Sequence, residues 1–235
     1  HRCLHAPSDD KASRGRQRVQ SVLGAYTASV ADSQDLPVDD RDPPRISESP
    51  YGPALIDDEE SSALASTRLQ ERLSASPGLC ISVDLEGPRL GGDGHICFIQ
   101  VAVDGDGKAP ALIYVFDIIR CGCHALGQSG TSTLRSILED SSVPKVLHSC
   151  YGDVAVLYRQ FGIFTRHVFD TSVADSLCLC RPPNKSRGLK PVVSQWVGLS
   201  AQFTYKGSFV HTDSFWEVRP LLHYKFVYAY EDVTH

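Results

Sequence analysis

The chain contains no methionine among its 235 residues and only two tryptophans. It begins at His1 without an initiator residue, so the protein's natural start is expected to lie upstream. No apolar run approaches the ~20 residues that a bilayer-spanning helix requires, which predicts no membrane partner. The polar, charged N-terminus also lacks the apolar segment of a secretory signal. An excess of positive charge is missing too. Lys and Arg number 23 against 28 Asp and Glu, a net charge of −5, which argues against a protein that coats nucleic acid non-specifically. These absences predict an intracellular protein, cytoplasmic or nuclear.

The acid is unevenly placed. Residues 1–75 hold thirteen Asp/Glu against nine Lys/Arg, whereas residues 131–235 hold nine against eleven. An acidic tail on a mildly basic remainder is compatible with a nucleic-acid substrate. Eight cysteines lie at 3, 80, 97, 121, 123, 150, 178 and 180. Several fall in apolar strand-like runs, where a thiol behaves as a small hydrophobe. Cys121-Gly-Cys123-His124 and Cys178-Leu-Cys180 have spacing too tight for an ordinary structural zinc site, so they read as reduced thiols.

Residues 1–50 are rich in Asp, Ser, Arg and Pro, and Asp39-Asp40-Arg41-Asp42-Pro43-Pro44-Arg45 cannot build a core. The segment reads as a linker or disordered tail, with a short amphipathic helix over Arg18–Val30 and a basic cluster at Arg14, Arg16 and Arg18. A single domain is expected over residues 51–235. Within it, Ala54–Ile56 reads as a short strand, Asp57 as an N-cap and Ser62–Leu73 as a helix. Apolar strands follow at Leu79–Leu85, His95–Val103 and Ala111–Asp117, joined by Gly/Asp-rich connections that favour antiparallel hairpins. Beyond Asp117, helices at Thr133–Leu138, Asp153–Phe161, Ser172–Leu179, Leu189–Val197 and from Leu221 onward alternate with strands at Lys145–His148 and Val168–Phe169. A three-strand meander followed by alternating helices and strands predicts an α/β fold with a mixed sheet.

Four acids and a tyrosine stand out against this background. Asp84 and Glu86, two apart on a strand, project from one face. Tyr228 and Asp232, four apart on a helix, share another. Asp153 opens a third element. Carboxylates converging from separate elements repel one another unless a cation lies between them, and a pair of Mg2+ or Mn2+ ions is a known device for cutting phosphodiesters. Taken singly, Asp153 is an ordinary acid at a helix N-terminus and Tyr228 with Asp232 an ordinary helix face; taken as a set they point to a metal-dependent nuclease.

The motifs that carry these residues resemble the 3′→5′ exonuclease domains of the DEDD superfamily, in the tyrosine-bearing subgroup that includes RNase D, the Werner-type exonucleases and Egalitarian-like proteins. The first motif is Val83-Asp84-Leu85-Glu86-Gly87, followed by Leu90-Gly91 and Ile96-Cys97-Phe98-Ile99-Gln100. Lys145-Val146-Leu147-His148 with Asp153, then Phe169-Asp170-Thr171, forms the second. The third is Tyr228-Ala229-Tyr230-Glu231-Asp232-Val233, preceded by Phe215-Trp216-Glu217-Val218-Arg219-Pro220-Leu221. A lone D-x-E carries almost no information, but three motifs in order at fitting distances are specific.

The resemblance implies an RNase H-like fold and a two-metal mechanism acting on the 3′ end of RNA or DNA. Asp84 would bridge both ions, Glu86 and Asp232 would complete the site of the water-activating ion, and Asp153 would support the second. Tyr228 would orient the attacking water. Arg181, Lys185, Arg187 and Lys190, on one loop, are candidate phosphate contacts. His148 and Asp170 read as structural groups, and Trp216 and Arg219 as braces for the last helix. Two departures from the family pattern stand out. Ser149 occupies a position where relatives often carry an acid, and the last helix is cut short at His235. The competing expectation is a catalytically weak or inactive exonuclease-like module that holds RNA within a larger complex.

Overall fold

A computed structural model of the chain describes residues 41–234, except 106, 108, 128–132, 183–184, 198–202, 206–211 and 213. The expected helix over residues 18–30 and the basic cluster at residues 14–18 lie outside the described residues. Pro44, Arg45 and Ile46, which composition assigns to the tail, pack onto the first strand. The Leu55 amide donates to the Pro44 carbonyl at 2.9 Å, and Ile46 is buried.

Among the described residues, six strands form one mixed sheet. Its centre is the expected meander of β2 (Ile81–Glu86), β3 (Phe98–Val103) and β4 (Leu112–Asp117), paired antiparallel. Strand β1 (Ala54–Ile56) joins β4 in parallel, while β5 (Lys145–Leu147) and β6 (Val168–Asp170) extend the other side from β2, also in parallel. The spatial order is β1-β4-β3-β2-β5-β6. All six residues of β3 are buried, as a strand covered on both faces requires. Strand β2 alternates: Ile81, Val83 and Leu85 are buried, whereas Ser82, Asp84 and Glu86 stay half-exposed. That alternation puts the two acids on one face at the open end of the central strand.

Helix α1 (Glu59–Ala75) begins three residues before the expected Ser62, and its N-cap lies one residue beyond the expected Asp57. Asp58, not Asp57, is its N-cap: the Ser61 amide donates to the Asp58 carboxylate at 2.7 Å, and Glu59 and Glu60 occupy the first turn, where the helix dipole favours negative charge. Asp57 has turned inward instead and is nearly inaccessible. It pairs with Arg45 and, at 2.8 Å, with Arg120. A cap and a buried ion-pair acid are alike in sequence when two aspartates adjoin.

One short helix, α2 (Ile118–Cys121), went unanticipated; its four residues are too few to show a period. Helix α3 (Leu134–Glu139) precedes β5, α4 (Tyr151–Phe161) follows it, α5 (Thr171–Cys178) follows β6, and α6 (Leu189–Trp196) and α7 (His223–Glu231) complete the fold. Among the described residues, no helix is long and apolar enough to cross a membrane. The Cys121 thiol is buried, 3.4 Å from the Ile56 carbonyl, and burial pushes it up to about 12.

The two neighbouring aspartates carry a direct test. Asp58→Ala removes a cap and is expected to cost about 1 kcal/mol. Asp57→Ala, which strips the partner from two arginines, is expected to cost about 1–3 kcal/mol. Urea denaturation ranks the two, and equal losses would contradict the assignment.

Candidate active site

Strand β2 and helix α7 bring the predicted carboxylates together. Asp84, Glu86 and Asp232 each offer one oxygen, and the three oxygens lie within 4.8 Å of one another. Each of the three residues is half-buried. Tyr228, one turn earlier on α7, borders the same cluster: burial raises its hydroxyl pKa, and the carboxylates of Glu86, Asp232 and Asp84 raise it further. The phenol therefore stays protonated and able to donate a hydrogen bond.

Asp153 lies on the first turn of α4, outside that three-oxygen cluster. It is 9% exposed. Burial first, and then the Asp170 carboxylate, push its pKa up to about 7. No cation among the described residues offsets either effect. Asp170 is opposite in kind. Burial pushes its pKa up, but hydrogen bonds from the Ser172 hydroxyl and the Cys150 and Ser149 amides outweigh burial and hold it at about 2. It caps α5 through the Ser172 amide at 2.8 Å and receives the Ser149 and Cys150 amides at 3.0 Å each. Those two bonds fix the turn leading into α4, where Ser149 sits at φ 57, a left-handed conformation that a non-glycine residue adopts only when its surroundings hold it.

The loop after β2 is pressed against α4. A Cβ on Gly152 would approach the Gly91 amide nitrogen to 3.3 Å, and one on Gly94 would meet the Pro88 carbonyl oxygen at 1.6 Å. The Arg159 guanidinium donates to the Gly92 and Gly94 carbonyls. Glycine in Gly91-Gly92-Asp93-Gly94 thus serves close packing as well as turning, and α4 is held beside the end of the acid-bearing strand.

His148 is a brace. Its Nε2 donates to the Arg187 carbonyl at 3.0 Å, and its Nδ1 lies 2.8 Å from the Thr171 hydroxyl. Of the four candidate phosphate contacts, Arg181, Lys185 and Lys190 are exposed. The Arg187 guanidinium is engaged with Asp175, through Nε to Oδ2 at 2.9 Å and a second bond to Oδ1. Trp196 Nε1 also donates to Asp175, at 2.8 Å. Together these partners hold the Asp175 carboxyl at about 2, and they tether the loop that carries Arg181 and Lys185; Lys190, expected on the same loop, lies instead on the first turn of α6. Beside this loop, a groove of about 650 Å³ opens from Asp84 and Asp232 between β5, α5 and α6.

Sequence reasoning missed two features. Asp117, at the end of β4, grips Arg219 from 102 residues away, through bonds of 2.5 and 2.8 Å. Gln100 stands directly opposite Asp84 in the β2–β3 register. Its side chain is fully buried, and neither amide atom has a hydrogen-bond partner among the described residues. The Asp117–Arg219 pair left no sequence signal, because nothing local links residues so far apart. The register that the alternating strands imply would have pointed to Gln100.

A mixed RNase H-like sheet carrying converging carboxylates and a tyrosine defines a nuclease-type domain. Residues 56–235 match the 3′-5′ exonuclease family, and the chain belongs to that family. Among solved structures it is similar to Escherichia coli RNase D, an exoribonuclease involved in structured RNA processing. The TM-score is 0.55 at 25% identity, over 76% of this chain and 40% of that one. The fold is shared with Trypanosoma brucei RNase D in complex with RNA U12, at a TM-score of 0.61 and 22% identity over 76% of this chain and 58% of that one. Among curated proteins it is 37% identical over 97 residues to the mouse piRNA biogenesis protein EXD1, covering 41% of this chain and 15% of that one. The silkworm Bombyx mori protein of the same name is 33% identical over 117 residues, 42% of this chain and 36% of that one. The chain thus spans well under half the length of these curated relatives.

The raised pKa of Asp153 fixes the sign of a pH effect. A carboxyl that ionises only near 7 when folded costs stability as pH rises from the ordinary carboxylate range through 7. In metal-free buffer, Asp153→Asn is therefore expected to melt above the wild type at pH 8, with the gap closing as pH falls toward 4. Calorimetric melts check this, and an Asp153→Asn chain that is less stable at pH 8 would refute it.

Proposed function

We propose that the chain is a metal-dependent 3′→5′ exonuclease that hydrolyses phosphodiester bonds of RNA or DNA and releases nucleoside 5′-monophosphates. The observation that carries this reading is the convergence of Asp84, Glu86 and Asp232 to within 4.8 Å beside a protonated Tyr228. Three further observations fit a divalent cation at this place. Carboxylate oxygens are the hard ligands that Mg2+ and Mn2+ prefer. Asp153 is buried with no cation among the described residues to offset its charge. The orphaned Gln100 amide, opposite Asp84, fits a hydrated ion whose waters can satisfy it.

Asp84, Glu86 and Asp232 would hold one ion, and Asp84 with Asp153 a second. Bound ions supply a water acidic enough to ionise near neutral pH and positive charge beside the leaving 3′ oxygen. The chain's own groups do the rest. Tyr228 donates from its hydroxyl and orients the attacking water without adding charge to an anionic site. Arg181, Lys185 and Lys190 draw the substrate backbone toward the acids, so binding weakens as salt rises. Arg187 serves that loop through its bond to Asp175. An RNA substrate accords with the similarity to E. coli RNase D, an exoribonuclease.

The test uses 5′-labelled single-stranded RNA and DNA with Mg2+ or Mn2+. The wild type is expected to give a ladder shortening from the 3′ end that chelation or Asp84→Ala abolishes. Tyr228→Phe is expected to lower kcat by about 10–100-fold with little change in KM, the pattern of a group acting in the transition state. Wild-type binding without cleavage would sink the proposal and identify an RNA-holding module instead.

A further inference from the structure

Arg219 is tied more completely than any packing role requires. Its Nε and Nη2 hold both oxygens of Asp117, a carboxylate that is 1% exposed. Its Nη1 donates to the Trp216 carbonyl at 2.6 Å and to the Val218 carbonyl at 3.1 Å. The guanidinium carbon lies 4.2 Å from the centre of the Phe98 ring. Every nitrogen is committed, and the plane is stacked.

What this arrangement fixes is the Trp216 indole. The Trp216 ring meets Phe98 edge-on at 5.9 Å and Tyr228 at 5.7 Å, and it is 3% exposed. Phe98 is in turn the cross-strand partner of Glu86. One side of the Tyr228 ring is thus set by a tryptophan whose backbone Arg219 clamps to the end of β4.

Resting on the exonuclease reading, we infer that Arg219, locked by Asp117, is a positioning residue for Tyr228. It acts through Trp216 and touches neither substrate nor metal. Lysine keeps the charge but cannot grip a carboxylate with two parallel bonds while donating to two carbonyls.

A double-mutant cycle separates positioning from mere stabilisation. Arg219→Lys is expected to lower kcat about 10-fold or more in the wild type, yet less than about 3-fold in a Tyr228→Phe background, because the group it positions is already gone. Asp117→Asn is expected to follow the same pattern. Equal losses in both backgrounds would overturn the inference while leaving the exonuclease reading intact. A readout free of catalysis accompanies the cycle. With Trp196→Phe present, Trp216 is the remaining indole, and its emission is expected to shift to the red when Arg219→Lys is added. Unchanged emission would overturn the inference even in a chain that cleaves nothing, whereas a wild type that cleaves nothing counts against the exonuclease reading alone.

Discussion

Repulsion among carboxylates governs this molecule. Three acidic oxygens within 4.8 Å of one another repel by about 3 kcal/mol per pair at an effective dielectric of about 20. A folded chain holds such a cluster only if its scaffold outweighs that cost or a cation removes it. The surrounding structure bears the marks of such a scaffold. Strand β2 is paired along its whole length to β3, so Asp84 and Glu86 cannot swing apart. Helix α7 is anchored on each side of its acid: Glu231 accepts from the Thr204 amide and hydroxyl, Ala229 is fully buried, and Val233 is buried just beyond.

That anchoring extends to the rest of the site. Lys225, on the same helix, is buried with its ammonium beside the Phe215 carbonyl and ring. Burial lowers its pKa to about 8, an effect that the neighbouring Arg219 reinforces. The segment that carries Trp216 and Arg219 is therefore pinned from β4 by an ion pair and from α7 by a buried lysine. On the other flank, Asp170 accepts four amides and one hydroxyl, so the entrance to α4 and the N-terminus of α5 share one acceptor. Charge that is satisfied by hydrogen bonds, at Asp170 and Asp175, builds the frame. Asp153, buried with no compensating cation among the described residues, and the three-oxygen cluster beside Tyr228 make up the proposed metal site.

Much of this was legible in the residues themselves. Alternation in Ile81-Ser82-Val83-Asp84-Leu85-Glu86 identifies β2 and its acid-bearing face, and Gly/Asp connections identify the antiparallel meander. The four-residue spacing of Tyr228 and Asp232 places both on one side of α7. What escaped the sequence was tertiary. Asp57 and Asp58 exchange roles because only the fold decides which aspartate meets Arg45 and Arg120. Arg187 reads as a candidate phosphate contact in its loop, yet Asp175, twelve residues earlier, takes its guanidinium. The Asp117–Arg219 pair joins the end of one strand to the approach of the last helix, a separation across which local pattern carries no information.

The central claim is that the acids of β2, α4 and α7 form a cation site, and calorimetric titration with Mn2+ near neutral pH tests it without reliance on any substrate. The account predicts binding by the wild type accompanied by proton release, because Asp153 is partly protonated there and must ionise to serve as a ligand. It also predicts that Asp84→Ala loses that binding. A wild type that takes up no Mn2+, or an Asp84→Ala chain that binds it as well as the wild type, would contradict the account.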